Sequence, residues 1–364
     1  MIIVVYIVGA IVLAGLVYLA CLDGNFEVRR SHLIDASVQD CFDAVVDLKS
    51  WPQWSPWLLH EPDARLEYSA DHRTEGGYYS WDGKQVGAGR LTHVSIKPGR
   101  SIAQQIEFTR PFKSTSEVGW YFEKQESGTL VSWEMRGRMP FLFRFLAKKM
   151  EPAIGRDYEL GLALLGGYVN KAMPHPEINL DGPETLEAFN YWAIPCHGNL
   201  RQLEGARRSS IETLRAAAGP ALGMSLTLFQ DFDPGSGHYR AELAIPVLDN
   251  MPTSNYQTRE FSGGDYFRLS VRGDLEFLPL AWHALASHCR LFKIKVDRQR
   301  PALEIYAEDP GYADGDKPTT TTLYLPIKSR AAADQERTKK RLVREDQPNV
   351  VIDNITKGGH RERG

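Results

Sequence analysis

The chain lacks the residue patterns on which several function classes depend. Its four cysteines, Cys21, Cys41, Cys196 and Cys289, are scattered and form no CxxC pair, which supports neither a zinc site nor a disulfide framework. No HExxH or other tight ligand spacing is present, so neither a metal nor a cofactor is expected. The glycines at Gly76-Gly77 and Gly87 to Gly89 fall in antiparallel hairpins rather than at a strand-to-helix turn, and are read as bends, not a phosphate loop. A formal net charge of −3 over 364 residues gives no reason to expect nucleic acid as a partner. What remains is ordinary: 43% hydrophobic and 24% charged residues, a folded globular composition with room for two domains.

Charge is also missing locally. From Met1 to Cys21 no side chain is charged, and Ile, Val, Leu and Ala dominate. About 20 apolar residues at roughly 1.5 Å each match a hydrocarbon core of about 30 Å, which predicts an uncleaved single-pass anchor over 1–21 with the lipid bilayer as partner. A cleaved signal peptide is disfavoured, because no basic region precedes the run and no small-x-small site ends it. A lipoprotein signal at Cys21 is disfavoured by Tyr18 and Leu19. Arg29 and Arg30 follow the run and lean the body toward the cytoplasmic side. Asp23 and Glu27 weaken that lean, as does the alternative that the arginines belong to a strand.

Beyond a short connection, Phe26 to Ala36 reads as a strand. Ser37 offers a helix N-cap with Asp40 three residues on. Val38, Cys41, Phe42, Val45 and Val46 give that helix a buried face, and Trp51-Pro52 is expected to stop it. Ala64 to Met139 reads as consecutive antiparallel strands, punctuated at Glu75-Gly76-Gly77, Asp82-Gly83, Lys97-Pro98-Gly99 and Glu126-Ser127-Gly128. A long helix follows, with Ile154, Tyr158, Leu162, Leu165 and Val169 near one face. Residues 174–185, rich in proline and polar side chains, read as a linker.

The second half, 186–328, carries a near-repeat. Leu226-Thr227-Leu228-Phe229 through Asp233-Pro234-Gly235 leads into Leu243-Ala244-Ile245-Pro246-Val247. Leu303-Glu304-Ile305-Tyr306 through Asp309-Pro310-Gly311 leads into Leu323-Tyr324-Leu325-Pro326-Ile327. Each copy follows a helical stretch and, before it, a strand ending near a glycine (Gly198, Gly273). Two βαββ units in tandem predict a pseudo-twofold domain with a groove along its axis. Residues 329–364 are charged and short of aromatics, and read as a flexible tail with a minor basic patch at Lys339-Lys340-Arg341.

These residues resemble two families. Over 26–173, Val28-Arg29-Arg30-Ser31, Asp47-Leu48-Lys49-Ser50-Trp51-Pro52-Gln53-Trp54-Ser55-Pro56-Trp57, Gln85-Val86-Gly87-Ala88-Gly89, Arg138-Met139-Pro140-Phe141-Leu142 and Gly155-Arg156-Asp157-Tyr158-Glu159-Leu160-Gly161-Leu162 resemble the START-like, polyketide cyclase-like (SRPBCC) superfamily. The repeat resembles the GyrI-like effector-binding domain found behind AraC-type and MerR-type DNA-binding domains, although no helix-turn-helix precedes it here. The fold implied is α+β: a START-like helix-grip domain, with a curved antiparallel sheet around a long C-terminal helix, then a GyrI-like tandem βαββ pseudo-twofold domain.

Strand parity selects the candidate site residues. Glu304 and Tyr306 share one face of their strand, and Leu303 and Ile305 share the other. If the apolar pair packs on the helices, Glu304 and Tyr306 face the inter-repeat groove, with Thr227 and Phe229 at the matching places of the other copy. GyrI-like domains commonly keep a ligand-contacting glutamate at this position, and some members are hydrolases that use it. A solvent-facing strand glutamate is the plain alternative. In the first domain, Tyr79 with Trp81, and Trp120 with Phe122, are candidate cavity lining or simply core. Trp51, Trp54 and Trp57 either close a cavity or form a packed corner. His197 beside Cys196, and His288 beside Cys289, are not nucleophile–base pairs, because neighbouring strand side chains point to opposite faces. The expected role is a membrane-anchored protein with two modules for a small hydrophobic or cationic ligand. The alternatives are a hydrolase or cyclase with Glu304 as acid/base, or a ligand-sensing interaction protein.

Overall fold

The structure, a computed structural model, describes residues 2–171, 175–218, 224–232, 238–247, 255–306 and 320–328. The expected tail at 329–364 and both Asp-Pro-Gly turns lie outside the described residues.

The apolar segment forms helix α1, Ile2–Cys21, 20 residues long. Side chains such as Ile3, Tyr6 and Leu13 are exposed along it. Counted over the residues whose side chains are described, no helix is long and apolar enough to cross a membrane.

The first domain runs β1 (Asn25–Ile34), α2 (Val38–Val46), β2 (Arg65–Tyr68), β3 (Tyr78–Asp82), β4 (Ala88–Lys97), β5 (Ser101–Arg110), β6 (Ser114–Gln125), β7 (Gly128–Arg138) and α3 (Ala147–Val169). The strands form one antiparallel sheet of seven in the order β1-β7-β6-β5-β4-β3-β2. The chain thus returns its last strand beside its first, and α3 packs across the inner face. Ser37 caps α2, its hydroxyl accepting from the Asp40 amide at 3.1 Å. Cys41, Phe42, Val45 and Val46 are buried as the spacing predicts. The helix ends earlier than Trp51-Pro52 would require. The Asp47 carboxylate accepts from the Lys49 amide at 3.0 Å, a local turn that competes with helix continuation, and Trp51–Gln53 forms a separate 3-10 turn.

Arg29 and Arg30 lie within β1, where Arg30 pairs with Glu151 at 2.8 Å and Glu159 at 2.7 Å. The Arg30 charge ties α3 to the sheet and Arg29 reaches Glu134 of β7 at 3.8 Å, which removes both as plain evidence of membrane orientation.

The second domain runs β8 (Glu177–Leu186), β9 (Phe189–Asn199), α4 (Leu200–Ala218), β10 (Ser225–Phe232), β11 (His238–Val247), β12 (Arg259–Phe261), β13 (Gly264–Arg272), α5 (Leu278–Leu291), β14 (Ala302–Tyr306) and β15 (Thr320–Pro326). Its eight strands order as β12-β9-β11-β10-β14-β15-β13-β8. The two copies, β9-α4-β10-β11 and β13-α5-β14-β15, therefore mirror one another about the β10–β14 seam. There Thr227 is in register with Glu304, and Leu228 with Leu303.

The segment read as a linker is a strand. Residues 177–186 form β8, paired along its length with β13. Pro183 is tolerated because β8 is an edge strand, where no second neighbour needs its missing amide. Gly182, at φ 111°, sits where the β13–β8 register shifts. Ile178 is buried against Leu269 and Val271, apolar alternation that the proline-rich composition masked.

The domains touch through their helices. Leu160 and Leu164 of α3, with Leu59, pack into the cluster that holds Ala281 and Leu285 of α5. Asp157 accepts from the Trp57 indole at 3.2 Å and meets His283 Nε2 at 2.7 Å, tying the tryptophan corner, α3 and α5 together.

Candidate functional site

Between the first sheet and α3, even-numbered residues of β6 and odd-numbered residues of β3 and β7 turn inward. Tyr79, Trp81, Trp120 and Phe122 are all buried in one cluster with Trp51, Trp54, Trp133 and Tyr158. The rings are in contact: Trp133 stacks on Tyr158 at a centroid distance of 3.9 Å and on Trp120 at 4.3 Å. Trp51 and Trp54 lie 4.6 Å apart beneath them. The four expected lining residues are thus brought together, but as mutually packed core rather than walls of a hollow. Trp51 and Trp54 form the packed corner. The reason is volume: large rings from three strands and the corner all point at α3, and close packing leaves them touching.

One polar chain crosses this interior. The Trp120 indole donates to Gln104 Oε1 at 3.0 Å, the Gln104 amide meets His93 Nδ1 at 3.3 Å, and His93 Nε2 meets the Val46 carbonyl at 3.0 Å. Burial lowers the His93 pKa below 6.5, so the imidazole is held neutral and its two nitrogens are used as one donor and one acceptor. A separate depression of about 330 Å³ is lined by Arg65, Glu67, Ser80, Asp82, Arg90 and Glu107. Strand parity places these charged residues on the outer face of the sheet, opposite Tyr79 and Leu91.

The second candidate centre lies on the seam. Glu304 and Tyr306 are each 2% exposed, and Thr227 is fully buried. Glu304 Oε1 accepts from the Trp282 indole at 2.7 Å, and Oε2 accepts from the Tyr306 hydroxyl. The Arg207 guanidinium lies 4.5 Å from the centre of the Tyr306 ring and pairs with Glu204 at 2.7 Å. Phe229 meets the Trp282 ring edge-on at 6.2 Å. The Thr227 hydroxyl lies near Tyr306 without a hydrogen bond of proper geometry, and the buried Ser225 hydroxyl has no partner among the described residues.

The faces are assigned opposite to expectation. Tyr306 packs with Leu323, Ala281 and Leu285 on the side of α5, and Phe229 packs with Leu203 and Leu243 on the side of α4. Leu303 instead joins Leu226, Leu228 and Tyr324 on the other face. Glu304 and Tyr306 therefore sit on the helix-covered face, in the seam between α4 and α5. Two βαββ units place both helices on one side, so the pseudo-axis residues Glu304 and Tyr306 lie beneath them rather than on the opposite face.

Burial pushes the Glu304 carboxyl above its ordinary 4.5, against the opposing pull of the Tyr306 and Trp282 donors and the Arg207 charge. Burial, with the adjacent carboxylate, likewise holds the Tyr306 phenol well above 10. Such a centre releases its proton less readily than an exposed carboxyl and presents donors and one acceptor to a guest.

Two members of this cluster escaped the sequence reading. Arg207 lies on the apolar stripe Leu203–Arg207–Ile211–Leu214 of α4; Leu203, Ile211 and Leu214 are buried and Arg207 is 1% exposed. A charge on that stripe was the available signal. Trp282 lies beside Leu278, Ala281 and Leu285 on α5 and gave none. Cys196 and His197 lie in strand β9 as read, whereas His288 and Cys289 lie on helix α5 and not in a strand. Cys196 Sγ lies 3.1 Å from the Tyr239 hydroxyl, while His288 stacks on Phe292 at 4.2 Å. The Cys289 thiol is buried and pushed up to about 12. Among the described residues no cluster of metal-ligating side chains occurs.

The packed first domain matches a family. Residues 25–169 match the model described as polyketide cyclase / dehydrase and lipid transport. Similar solved structures include protein MLL2253 from Mesorhizobium loti, 11% identical over 40% of this chain and 98% of that one, TM-score 0.32. CalU16 from Micromonospora echinospora is 19% identical over 41% of this chain and 78% of its own, TM-score 0.28. SA2116 from Staphylococcus aureus, a protein of unknown function, is 15% identical over 41% and 96%, TM-score 0.33. Comparison with curated proteins finds no match to the chain.

Proposed function

We propose that the protein is a membrane-anchored binding protein for a small hydrophobic or amphipathic molecule, and that its second domain is a GyrI-like ligand module centred on Glu304. The observation that carries this reading is the seam itself. A carboxylate on the pseudo-axis is enclosed by Trp282, Tyr306, Phe229 and Arg207. Unpartnered buried hydroxyls cost roughly 1–3 kcal/mol each, and those of Ser225 and Thr227 beside the carboxylate support a guest that brings a polar group. Glu204 is already paired with Arg207 and Arg208, so an ionised Glu304 is the acceptor left for a cationic headgroup. The lipid-transport description of the first domain's family supports an apolar guest there. Such a guest enters only where rings such as Tyr79 and Trp81 swing aside. Anchorage is supported by the length of α1 and its lack of charge.

Trp282 donates to Glu304 and is one of eight tryptophans, so its share of the indole fluorescence is isolated by comparison with Trp282→Phe. Titration of the full chain in detergent with a lipophilic cation such as tetraphenylphosphonium should give saturable quenching, weakened at least several-fold in Glu304→Gln. Absence of saturable quenching in the wild type overturns the reading for cationic guests. A second reading, a hydrolase or cyclase with Glu304 as acid/base and Tyr306 as its partner, is favoured by the raised carboxyl pKa alone. Equal turnover by wild type and Glu304→Gln on an ester panel removes it.

A further inference from the structure

Among the described residues, an exposed apolar cluster of rings outside α1 lies at the end of the first domain nearest that helix. Between β7 and α3, Phe141–Leu146 forms a 3-10 turn in which no residue is buried. Leu142 is 60% exposed and Phe145 51%, with Phe141 and Phe143 nearly as open. Phe112, from the turn between β5 and β6, stacks on Phe143 at 6.0 Å and is itself 46% exposed. Two separate connections thus present aromatic and aliphatic side chains to the same side. Soluble surfaces scatter such residues singly; a contiguous group marks an interaction surface.

We propose that this patch rests in the interface of the bilayer that holds α1, so that the first domain docks on the membrane instead of hanging from it. The inference depends on the anchor proposed above. Three observations select the bilayer as occupant. The patch is continuous with α1: Arg144 Nη1 reaches the Leu19 and Ala20 carbonyls, each at 3.4 Å, and the Met139 amide donates to the Gly24 carbonyl at 2.8 Å. The tether is short, because only residues 22–24 separate α1 from β1. Three extended residues span about 10 Å at most, so the end of the domain cannot leave the surface into which α1 inserts. The charge is also of one sign. From Arg138 to Met150 the chain holds Arg138, Arg144, Lys148 and Lys149 and no acidic residue, and Lys113 lies beside Phe112. Arg144 is held by α1 and the Phe141 ring, while exposed Arg138, Lys148, Lys149 and Lys113 around an apolar centre match anionic headgroups around acyl chains. Their aliphatic stems lie along the apolar layer while their charges stay in water.

The test places a nitroxide spin label, one position at a time, on the full chain in nanodiscs of phosphatidylcholine and phosphatidylglycerol. The background carries Cys21→Ser and Cys196→Ser, the other two cysteines being buried. Labels at Leu142→Cys and Phe145→Cys should show an oxygen-to-nickel-chelate accessibility ratio several-fold above that of a label at Glu126→Cys, at the turn after β6. A label at Leu13→Cys reads the anchor separately. If Leu13 is deep while Leu142 and Phe145 match Glu126, the docking is wrong and the anchor stands. If Leu13 is also in water, the anchor fails and the docking with it. Dipolar broadening between labels at Leu142 would show a second copy of the chain covering the patch, and would overturn the assignment to lipid. Using two patch positions keeps the result readable if one variant misfolds, and far-UV circular dichroism checks each.

Discussion

The two domains differ in the charge they bury. In the helix-grip domain the interior polar chain from Trp120 through Gln104 and His93 to the Val46 carbonyl is neutral throughout, and aromatic rings occupy the space around it. In the pseudo-twofold domain the seam buries a carboxylate and a guanidinium. Both interiors hold polar atoms without a partner among the described residues, Trp133 Nε1 and the Tyr158 hydroxyl in the first and the Ser225 and Thr227 hydroxyls in the second. Close packing of rings makes a stable body that resists entry. The contrast therefore lies in charge: the second domain carries an ionisable centre on its seam, and the first a ring-filled interior that opens only by moving side chains.

Four measurements would break or sharpen that contrast. Trp133 lies between Trp120 and Tyr158, so Trp133→Ala should lose about 3–5 kcal/mol in denaturant titrations. A loss below about 1 kcal/mol would mean that the first interior tolerates voids and is no better packed than the seam.

The junction between the domains should be sensitive to acid. His60, 7% exposed with no partner on Nδ1, faces His288, Asp157, His283 and Arg290. Burial lowers its pKa to about 4, and burial lowers that of His288 as well. The folded state then binds fewer protons than the unfolded one below an ordinary histidine value of about 6.5. Stability is complete above that value and falls between about 6.5 and 4, by up to about 3 kcal/mol for His60. His60→Phe should flatten this slope; an unchanged slope assigns the acid sensitivity elsewhere.

At the seam the sign is reversed. Glu304 keeps its proton to higher pH when folded, so its contribution is present below about 4.5 and is lost as pH rises through the folded value. The slope is at most about 1.4 kcal/mol per pH unit. Glu304→Gln should abolish it while keeping an acceptor for Trp282, and a variant that retains the slope would show that the carboxyl is not the group titrating. The smallest effect is expected at the contact between domains. Asp157→Ala removes the acceptor for both Trp57 and His283 and should cost about 1–2 kcal/mol, read as a lower melting temperature. A change within error would show that the apolar contacts of Leu160 and Leu164 hold the domains without it.

Much of the architecture was legible from local chemistry. The Ser37 cap, the buried face of α2, the run of hairpins and the two βαββ copies all rest on interactions within a few residues or on a repeating pattern, and all are present. Strand parity grouped Glu304 with Tyr306 and Thr227 with Phe229, which meet at one seam, and Tyr79 with Trp81 and Trp120 with Phe122, which share one interior. Three readings needed long-range information. Residues 177–186 became a strand because β13 offers an edge, which no local signal announces. The aromatic residues of the first domain became solid core because α3 and the tryptophan corner close on them from distant positions. Trp282 joined Glu304 only because α5 crosses back over β14.

The amino-acid sequence by itself determined which side chains share a face, because the period of a strand or helix is set by backbone geometry. Only the tertiary structure decided which face of β14 lies under the helices and whether the grip around α3 encloses space or rings. Those choices depend on where the chain returns after each crossover and on how much volume the returning side chains fill.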